Sequence, residues 1–158
     1  MKALNIDDFE EEPTIKLVGC GGACTASYYS VVLSNHDDIF DIPNFGPIIH
    51  QMIVNVPLAD LEAGDLSNGD VIVAYAPPNS PAVQKDLHYS YLIFKQDADI
   101  TDTSALLATP QTQGLLSAFP VRDFMEEYGL TLVTSNYFVA EWRILSEINI
   151  LNIIGMLF

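Results

Sequence analysis

The stretch LHYSYLIFK, residues 87–95, is the longest strand candidate in the chain, and the fold prediction depends on it. It combines aromatic and aliphatic side chains without an internal Gly or Pro, a composition typical of strands. Three further runs share this character: YYSVVL at 28–33, HQMIVNV at 50–56 and VIVAY at 71–75. Each run is followed within two residues by Pro, Asn or Asp, which favour turns. The pattern predicts a protein built mainly from strands.

One helix is predicted shortly before the last strand. Pro120 lies in its first turn, and Gly129 ends it before extended structure resumes at 130–134. Three other segments complete the prediction: a short strand at 14–19, and turns or loops at 58–70 and 97–114. Because strands do not alternate with helices, we expect an all-β dominated fold, an antiparallel Greek-key β-sandwich with a short helix before the last strand and an apolar C-terminal segment.

The composition indicates one folded, acidic domain. Of 158 residues, 49% are hydrophobic, and 21 Asp and Glu against 6 Lys and Arg leave a net charge of -15. The apolar fraction is too high for a disordered acidic chain. So few cations cannot neutralise a run of phosphates, which excludes nucleic acid as a partner, and an anionic membrane surface would repel the chain.

Both ends of the chain differ in composition from its middle. Residues 1–12 are predicted to be an acidic tail, 13–142 a sandwich domain and 143–158 an apolar C-terminal segment. The run from Ile144 to Phe158 is too short and too often interrupted by polar residues to cross a bilayer, which needs about 20 apolar residues. Two interpretations stay open: the segment packs on its own domain, or it docks onto another protein chain.

Cysteine usage and the N-terminus bear on the compartment. Cys20 and Cys24 are read as free, buried thiols of a reducing compartment, since no further ligands complete a metal site. The N-terminus has neither the apolar run of a signal peptide nor the arginines of a transit peptide. We therefore predict a cytoplasmic protein without a metal or cofactor, and an organellar location stays open.

Histidines beside strand ends are the candidate binding groups. His50 opens one strand, His88 lies in another, and His36 sits in the polar turn SNHDD. In a sandwich these segments can meet at one edge, where two histidines beside Tyr89 would hold a small anion. The alternative is that each histidine has only a local partner. A Ser34, His50 and Asp37 triad has no nucleophile elbow or oxyanion hole beside it, so we predict that the protein is not an enzyme.

Five blocks of the sequence, in order, resemble the phosphatidylethanolamine-binding protein family, also called the Raf kinase inhibitor protein family. They are FGPIIHQMIVNVPLADLEAGD (45–65), AYAPPNSP (74–81), LHYSYLIFKQ (87–96), FPVRDFMEEYGL (119–130) and NYFVAEW (136–142), within a similarity that spans roughly residues 13–142. The resemblance implies an antiparallel β-sandwich with an anion pocket at one end, which binds phosphate-bearing head groups or peptides.

The resemblance also implies where the pocket lies, and the motifs are incomplete. SNHDD stands in place of the family's D-P-D-x-P turn, with Ser34 at the first aspartate, whereas His50 and Asn55 match the family's second pocket strand. Pro77, Pro78 and His88-Tyr89 match its third motif without the Gly and Arg. Because a one-residue slip reverses a side chain's face, either His88 or Tyr89 faces the pocket. The candidate ligand-binding residues are thus His50, His88, Pro77, Pro78, Tyr89 and Ser34.

Two functions follow from the resemblance. The first is non-enzymatic binding of a small anion, a phospholipid head group or a phosphorylated partner in a degenerate pocket. The alternative is a structural subunit of a larger protein assembly, such as a mitochondrial, ribosome-associated or membrane-associated complex. In that role the fold would be a scaffold and the segment from Ile144 to Phe158 would contact the partner.

Overall fold

The computed structural model describes residues 4–5, 9–19, 24–35, 37, 47–78, 86–107, 111–112, 115–116 and 119–141. Eight strands and three short helices occur in these ranges. The strands are β1 Leu4–Asn5, β2 Tyr28–Asn35, β3 Ile48–Pro57, β4 Asp70–Val73, β5 Leu87–Gln96, β6 Gln111–Thr112, β7 Leu115–Leu116 and β8 Leu130–Glu141. The helices are α1 Leu58–Ala63, α2 Ser104–Leu107 and α3 Val121–Glu127. The prediction of an all-β dominated fold is confirmed.

The five longer strands form an antiparallel sheet. Along its main path β8 pairs with β5, β5 with β2 and β2 with β3, and β4 adds to the outer side of β3. β7 also pairs with β3, and β1 pairs with the end of β8 in the parallel direction. All the described strands belong to this one hydrogen-bonded sheet, so a Greek-key sandwich of two sheets is not confirmed.

Both faces of the sheet are covered at its centre, which explains why β2 and β3 are buried along almost their whole length. We define the front face by the side chains of Tyr29, Leu33, Tyr89 and Tyr91, and the back face by those of Val32, Met52 and Phe94. Residues 9–19 and α1 cover the front face, whereas α2 and α3 cover the back face. Strands buried on both sides lose the alternation of apolar and polar residues.

Two β-bulges in β3 place polar side chains. Leu33 pairs with Gln51 and the next residue of β2 pairs with Ile49, so His50 is the extra residue of the first bulge. A second irregularity lies at Asn55, whose φ of 58° is left-handed. A bulge shifts the side-chain alternation by one residue, so each bulge redirects a polar group.

The helix predicted before the last strand is confirmed. It spans Val121–Glu127 with Pro120 at its N-cap position, and Gly129 adopts a φ of 60° directly before β8. Three local predictions are wrong. The predicted loop at 97–114 contains helix α2 and strand β6. Residues 58–63 form helix α1 rather than turns, and Gly64, at φ 82°, ends that helix. Residues 14–19 do not join the sheet but cross its front face, since Leu17 packs into the core and its N–H donates to Leu61.

The described residues cover only part of the three predicted segments of the chain. The apolar C-terminal segment at 143–158 lies outside the described residues, and the predicted domain boundaries stay a prediction. Within the acidic tail, Phe9 is buried in the front-face core and Leu4 pairs with Ala140. In the described ranges, no helix combines the length and apolar character needed to span a membrane.

Candidate functional site: buried polar atoms around His50

His50 lies at the front face because of its bulge, and it is fully buried. The loop after β4 wraps around it. The backbone N–H of Ala76 donates to the carbonyl oxygen of His50 at 2.8 Å, and the ring Nδ1 of His50 lies 3.1 Å from the carbonyl oxygen of Ala76. Since a carbonyl only accepts, Nδ1 carries the proton in this contact. The main chain therefore fixes both the position and the tautomer of the ring.

The environment of His50 favours its neutral form. Burial lowers its pKa below the ordinary value of 6.5, and this effect is larger than the opposing effect of the carbonyl groups of Ala76 and Pro77. With a proton on Nδ1, the other ring nitrogen, Nε2, has a free lone pair. Nε2 is buried and has no hydrogen-bond partner in the part of the chain that the structure describes.

Tyr89 and Asn35 lie beside His50 on the front face. The ring of Tyr89 meets that of His50 edge-on, with ring centroids 5.0 Å apart, and Asn35 is the cross-strand partner of Tyr89. The Tyr89 hydroxyl and the Asn35 Nδ2 are also buried without a hydrogen-bond partner among the described residues. Burial raises the pKa of Tyr89 well above 10, while the approach of the Asn35 side chain, outside normal hydrogen-bond geometry, opposes this shift. Tyr89 is thus a protonated donor at every physiological pH.

The structure separates the other residues predicted for the site. His88 points away from the front face, its side chain is 54% exposed, and it forms an ion pair with Asp37 at 3.1 Å. Ser34 is buried but pairs with Ser90 and Ile49 on the back-face side of the sheet, and its hydroxyl has no partner in the described ranges. Of the two adjacent prolines, Pro78 is buried and Pro77 is exposed.

The beginning of β5 and the end of β2 are joined by hydrogen bonds through Asp37. Asp37 accepts a hydrogen bond from the backbone N–H of His88 as well as contacting its ring, and its own N–H donates to Asn35 Oδ1 at 2.7 Å. This Asx turn fixes the Asn35 amide, which leaves its Nδ2 as a donor. Sequence reasoning missed Asn35, although its register with Tyr89 follows once YYSVVL and LHYSYLIFK are paired. His36 lies outside the described residues.

Asn55 does not belong to the site. It lies at the other end of β3, where its side chain binds Gln96, Asp70 and Ile100. Gln96 Nε2 donates to Asn55 Oδ1 at 2.7 Å, and the Gln96 Oε1 accepts from both Asn55 N–H at 2.8 Å and the Ser30 hydroxyl at 2.9 Å. This closed network holds the second bulge, so the match of Asn55 to a pocket motif reflects folding rather than binding.

The cysteine prediction is wrong at Cys24, which is disulfide-bonded. Cys20 and Cys24 were considered only as metal ligands and as an indication of the compartment. Cysteines in a C-x-x-x-C spacing can also form a disulfide bond. Cys20 lies outside the described residues. Among the residues that the structure describes, no group of three His, Cys, Asp or Glu side chains converges as metal ligands. The compartment stays a prediction.

Comparison with known proteins gives a likeness of fold alone. No protein-family model matches the chain, and no curated protein matches its sequence. Among solved structures, carboxypeptidase Y inhibitor complexed with its cognate proteinase matches with a TM-score of 0.52 at 17% identity, over 73% of this chain and 60% of that one. The CG7054 solution structure matches with a TM-score of 0.53 at 21% identity, over 74% and 64%. The chain therefore spans less than two thirds of these proteins.

These findings contradict the predicted membership in the phosphatidylethanolamine-binding protein family. Carboxypeptidase Y inhibitor has that family's fold. The comparison therefore shows that this chain has a β-rich fold similar to that of one protein with the family's fold. Three of the five matched sequence blocks, at 45–65, 87–96 and 136–142, contain long strand segments, and sheets of similar architecture share their apolar pattern. The residues that carried the resemblance also disperse, since His88 faces away from His50 and Asn55 belongs to a folding network.

Proposed function

We propose that the protein binds, without catalysing a reaction, a small oxyanion such as a phosphate group at the site formed by His50, Tyr89 and Asn35. One observation carries this proposal: the neighbouring front-face residues His50, Tyr89 and Asn35 each have a buried polar atom without a hydrogen-bond partner among the described residues. A buried polar atom without a partner costs about 1–3 kcal/mol of stability. A cluster of such atoms is better explained by a ligand that completes their bonds.

The chemistry of these atoms favours an oxyanion that shares a proton with His50. The Tyr89 hydroxyl and the Asn35 amide are donors, which suit two acceptor oxygens. His50 Nε2 accepts when the ring is neutral and donates when it is protonated, so the complex needs one proton between Nε2 and the nearest ligand oxygen. A phosphate monoester, whose second pKa is about 6, can supply that proton as well as the two acceptors.

The surrounding charge predicts weak affinity. Among the residues that the structure describes, the contacts of this site involve no lysine or arginine, and the chain carries a net charge of -15. Asp37 also lies close enough to raise the pKa of Tyr89. Hydrogen bonds from the site, together with the shared proton, must therefore supply the attraction.

Phosphate binding is expected to strengthen severalfold between pH 7.5 and pH 5.5, because the complex holds a proton that the phosphate dianion and neutral His50 lack. Folding lowers the pKa of His50, so the unfolded chain binds more protons below pH 6.5 and stability falls there. A bound oxyanion opposes that loss. Calorimetric titration of inorganic phosphate at the two pH values measures the affinity change.

His50→Gln is the matched variant for this titration, since glutamine keeps a polar side chain that does not titrate. This variant should bind phosphate more weakly, and its phosphate affinity should change less with pH. Sulfate serves as a second probe, because it carries no proton in this pH range and depends on His50 alone. If phosphate binds the wild-type protein at neither of the two pH values, the proposal is contradicted.

Docking onto another protein is the second candidate function, and an exposed apolar strip favours it. Leu132 and Tyr137 on β8 are 46% and 51% exposed, and both lie on the back-face side of the strand, shortly before the C-terminal segment. Carboxypeptidase Y inhibitor, whose fold is similar, engages a proteinase, and this supports protein docking as a use of the fold.

For this candidate, replacing both Leu132 and Tyr137 by serine should reduce self-association or partner capture at least tenfold while leaving folding intact, because both side chains are solvent-exposed. Sedimentation equilibrium on the full chain, on this variant and on a chain ending at Trp142 gives the masses. Monomers in all three cases, with no co-purifying partner, would exclude docking through this strip and the segment from Ile144 to Phe158.

A further inference from the structure

Residues 9–12 cross the front face next to the candidate site, and we call them the strap. Phe9 is buried there although the surrounding tail is acidic, and the ring of Phe9 stacks on that of Phe138 with centroids 4.4 Å apart and an interplanar angle of 18°. Glu10, Glu11 and Glu12 remain exposed. The Phe9 ring thus attaches the strap to the front face, while the three carboxylates of the strap stay in solvent.

A continuous path of ring contacts leads from the strap to His50. Phe138 stacks in turn on Tyr89, with centroids 5.3 Å apart and an interplanar angle of 8°. Tyr89 then meets His50 edge-on at 5.0 Å. Phe138 lies between Phe9 and Tyr89, so loss of the Phe9 ring would leave one side of Phe138 without packing. The orientation of the Tyr89 hydroxyl depends on this stack.

Hydrogen bonds from the strap reach His50 by a second route. The Tyr75 hydroxyl donates to the carbonyl oxygen of Phe9 at 2.7 Å, and Tyr75 immediately precedes Ala76, which binds the His50 ring and main chain. Glu12 accepts a hydrogen bond from the side-chain amide of Gln51, the neighbour of His50 in the bulge. Tyr75, which precedes Ala76, and Gln51, which follows His50, are therefore both hydrogen-bonded to the strap.

We propose that Phe9 and Glu12 are positioning residues, and that the strap sets the oxyanion affinity of the His50 and Tyr89 site, an inference that rests on the proposed function. The unpartnered atoms of the site can meet a ligand only if neighbouring groups hold their rings in place. Ala76 binds the His50 ring, and Tyr75, the residue before Ala76, is hydrogen-bonded to the strap. The strap supplies that support from outside the site.

Phe9→Ala and Phe119→Ala form a matched pair for the test. Both phenylalanines are buried, but Phe119 packs against Phe124 in the back-face core. We expect both variants to lose stability. Phe9→Ala alone should weaken inorganic phosphate binding by about tenfold and shift the ring nitrogen signals of His50 in the ligand-free protein, as measured by calorimetry and by NMR of the histidine rings.

Glu12 provides a milder test that leaves the core intact. Glu12→Ala removes the acceptor for Gln51, whereas Glu12→Gln keeps an acceptor oxygen and removes the charge. Glu12→Ala should shift the His50 ring signals and weaken phosphate binding severalfold, and Glu12→Gln should restore both toward wild type. If Glu12→Gln instead matches Glu12→Ala, the contact acts through charge and the positioning role of Glu12 is contradicted.

The two readouts separate the strap from the proposed function. If wild-type protein does not bind phosphate, the proposed function fails, and the His50 signals of the ligand-free variants then decide only whether the strap positions the His50 ring. If phosphate binds but Phe9→Ala and Phe119→Ala change affinity equally and leave the His50 signals unmoved, the strap is only part of the core and the inference is overturned.

Discussion

Replacing Asn55 by alanine is expected to lower the free energy of unfolding by about 3–5 kcal/mol, because it leaves several buried groups without partners at about 1–3 kcal/mol each. The Asn55 side chain accepts from Gln96 Nε2 at 2.7 Å and from the backbone N–H of Ile100 at 2.9 Å, and donates to the Ile100 carbonyl at 2.9 Å. Its φ of 58° adds strain for alanine of about 1–2 kcal/mol. Urea unfolding followed by fluorescence measures the change.

Asn68→Ala is the matched control for Asn55→Ala. Asn68 is exposed and makes one side-chain hydrogen bond, to Asp60 at 2.9 Å, so its replacement should change stability by less than about 0.5 kcal/mol. Asn55→Gly removes the same side chain without the backbone strain, and it should fall between the two. A loss below 1 kcal/mol for Asn55→Ala would contradict the view that this network holds the second bulge of β3.

Tyr89→Phe is expected to weaken phosphate binding by about tenfold and at the same time to stabilise the ligand-free protein by about 1 kcal/mol, since it deletes a buried hydroxyl without a partner among the described residues. The ring and its contacts with His50 and Phe138 remain. Opposite changes in affinity and stability distinguish a binding group from a structural one. Calorimetric titration with phosphate and urea unfolding provide the two values.

Tyr137→Phe is the control for the hydroxyl deletion. Tyr137 lies on β8 and is 51% exposed, so losing its hydroxyl should alter neither phosphate affinity nor stability appreciably. A Tyr89→Phe variant that is less stable than wild type, with unchanged phosphate affinity, would mean that the Tyr89 hydroxyl has a structural partner. The oxyanion site would then have lost one of its two donors.

The strands and the helix before β8 could be predicted because composition and turn residues act locally. YYSVVL, HQMIVNV and LHYSYLIFK all lie within strands. Gly129 ends the helix region as expected, whereas Pro120, predicted in the first turn, is the N-cap residue. Helix α1 was missed because its six residues carry no sustained apolar period, and its burial depends on Leu61 alone. Residues 14–19 look like a strand by composition, but their position across the front face depends on long-range packing.

The site could be predicted only in part, because its geometry depends on a bulge and on strand register. His50 was expected to open a strand, whereas β3 begins at Ile48, and nothing in HQMIVNV indicates that His50 is the extra residue of a bulge. The register of β5 against β2 decides between His88 and Tyr89, and it brings Tyr89 to Asn35. His88 instead pairs with Asp37, a partner 51 residues away that local sequence does not reveal.

The central claim is that the buried polar atoms around His50 bind an oxyanion, and NMR of the histidine rings during a phosphate titration at pH 6 tests it most directly. His50 has a buried Nε2 without a partner in the described ranges, whereas His88 is exposed and paired with Asp37. We predict that the ring nitrogen signals of His50 shift saturably and that those of His88 change little. Saturable shifts at His88 with His50 unmoved would contradict the account.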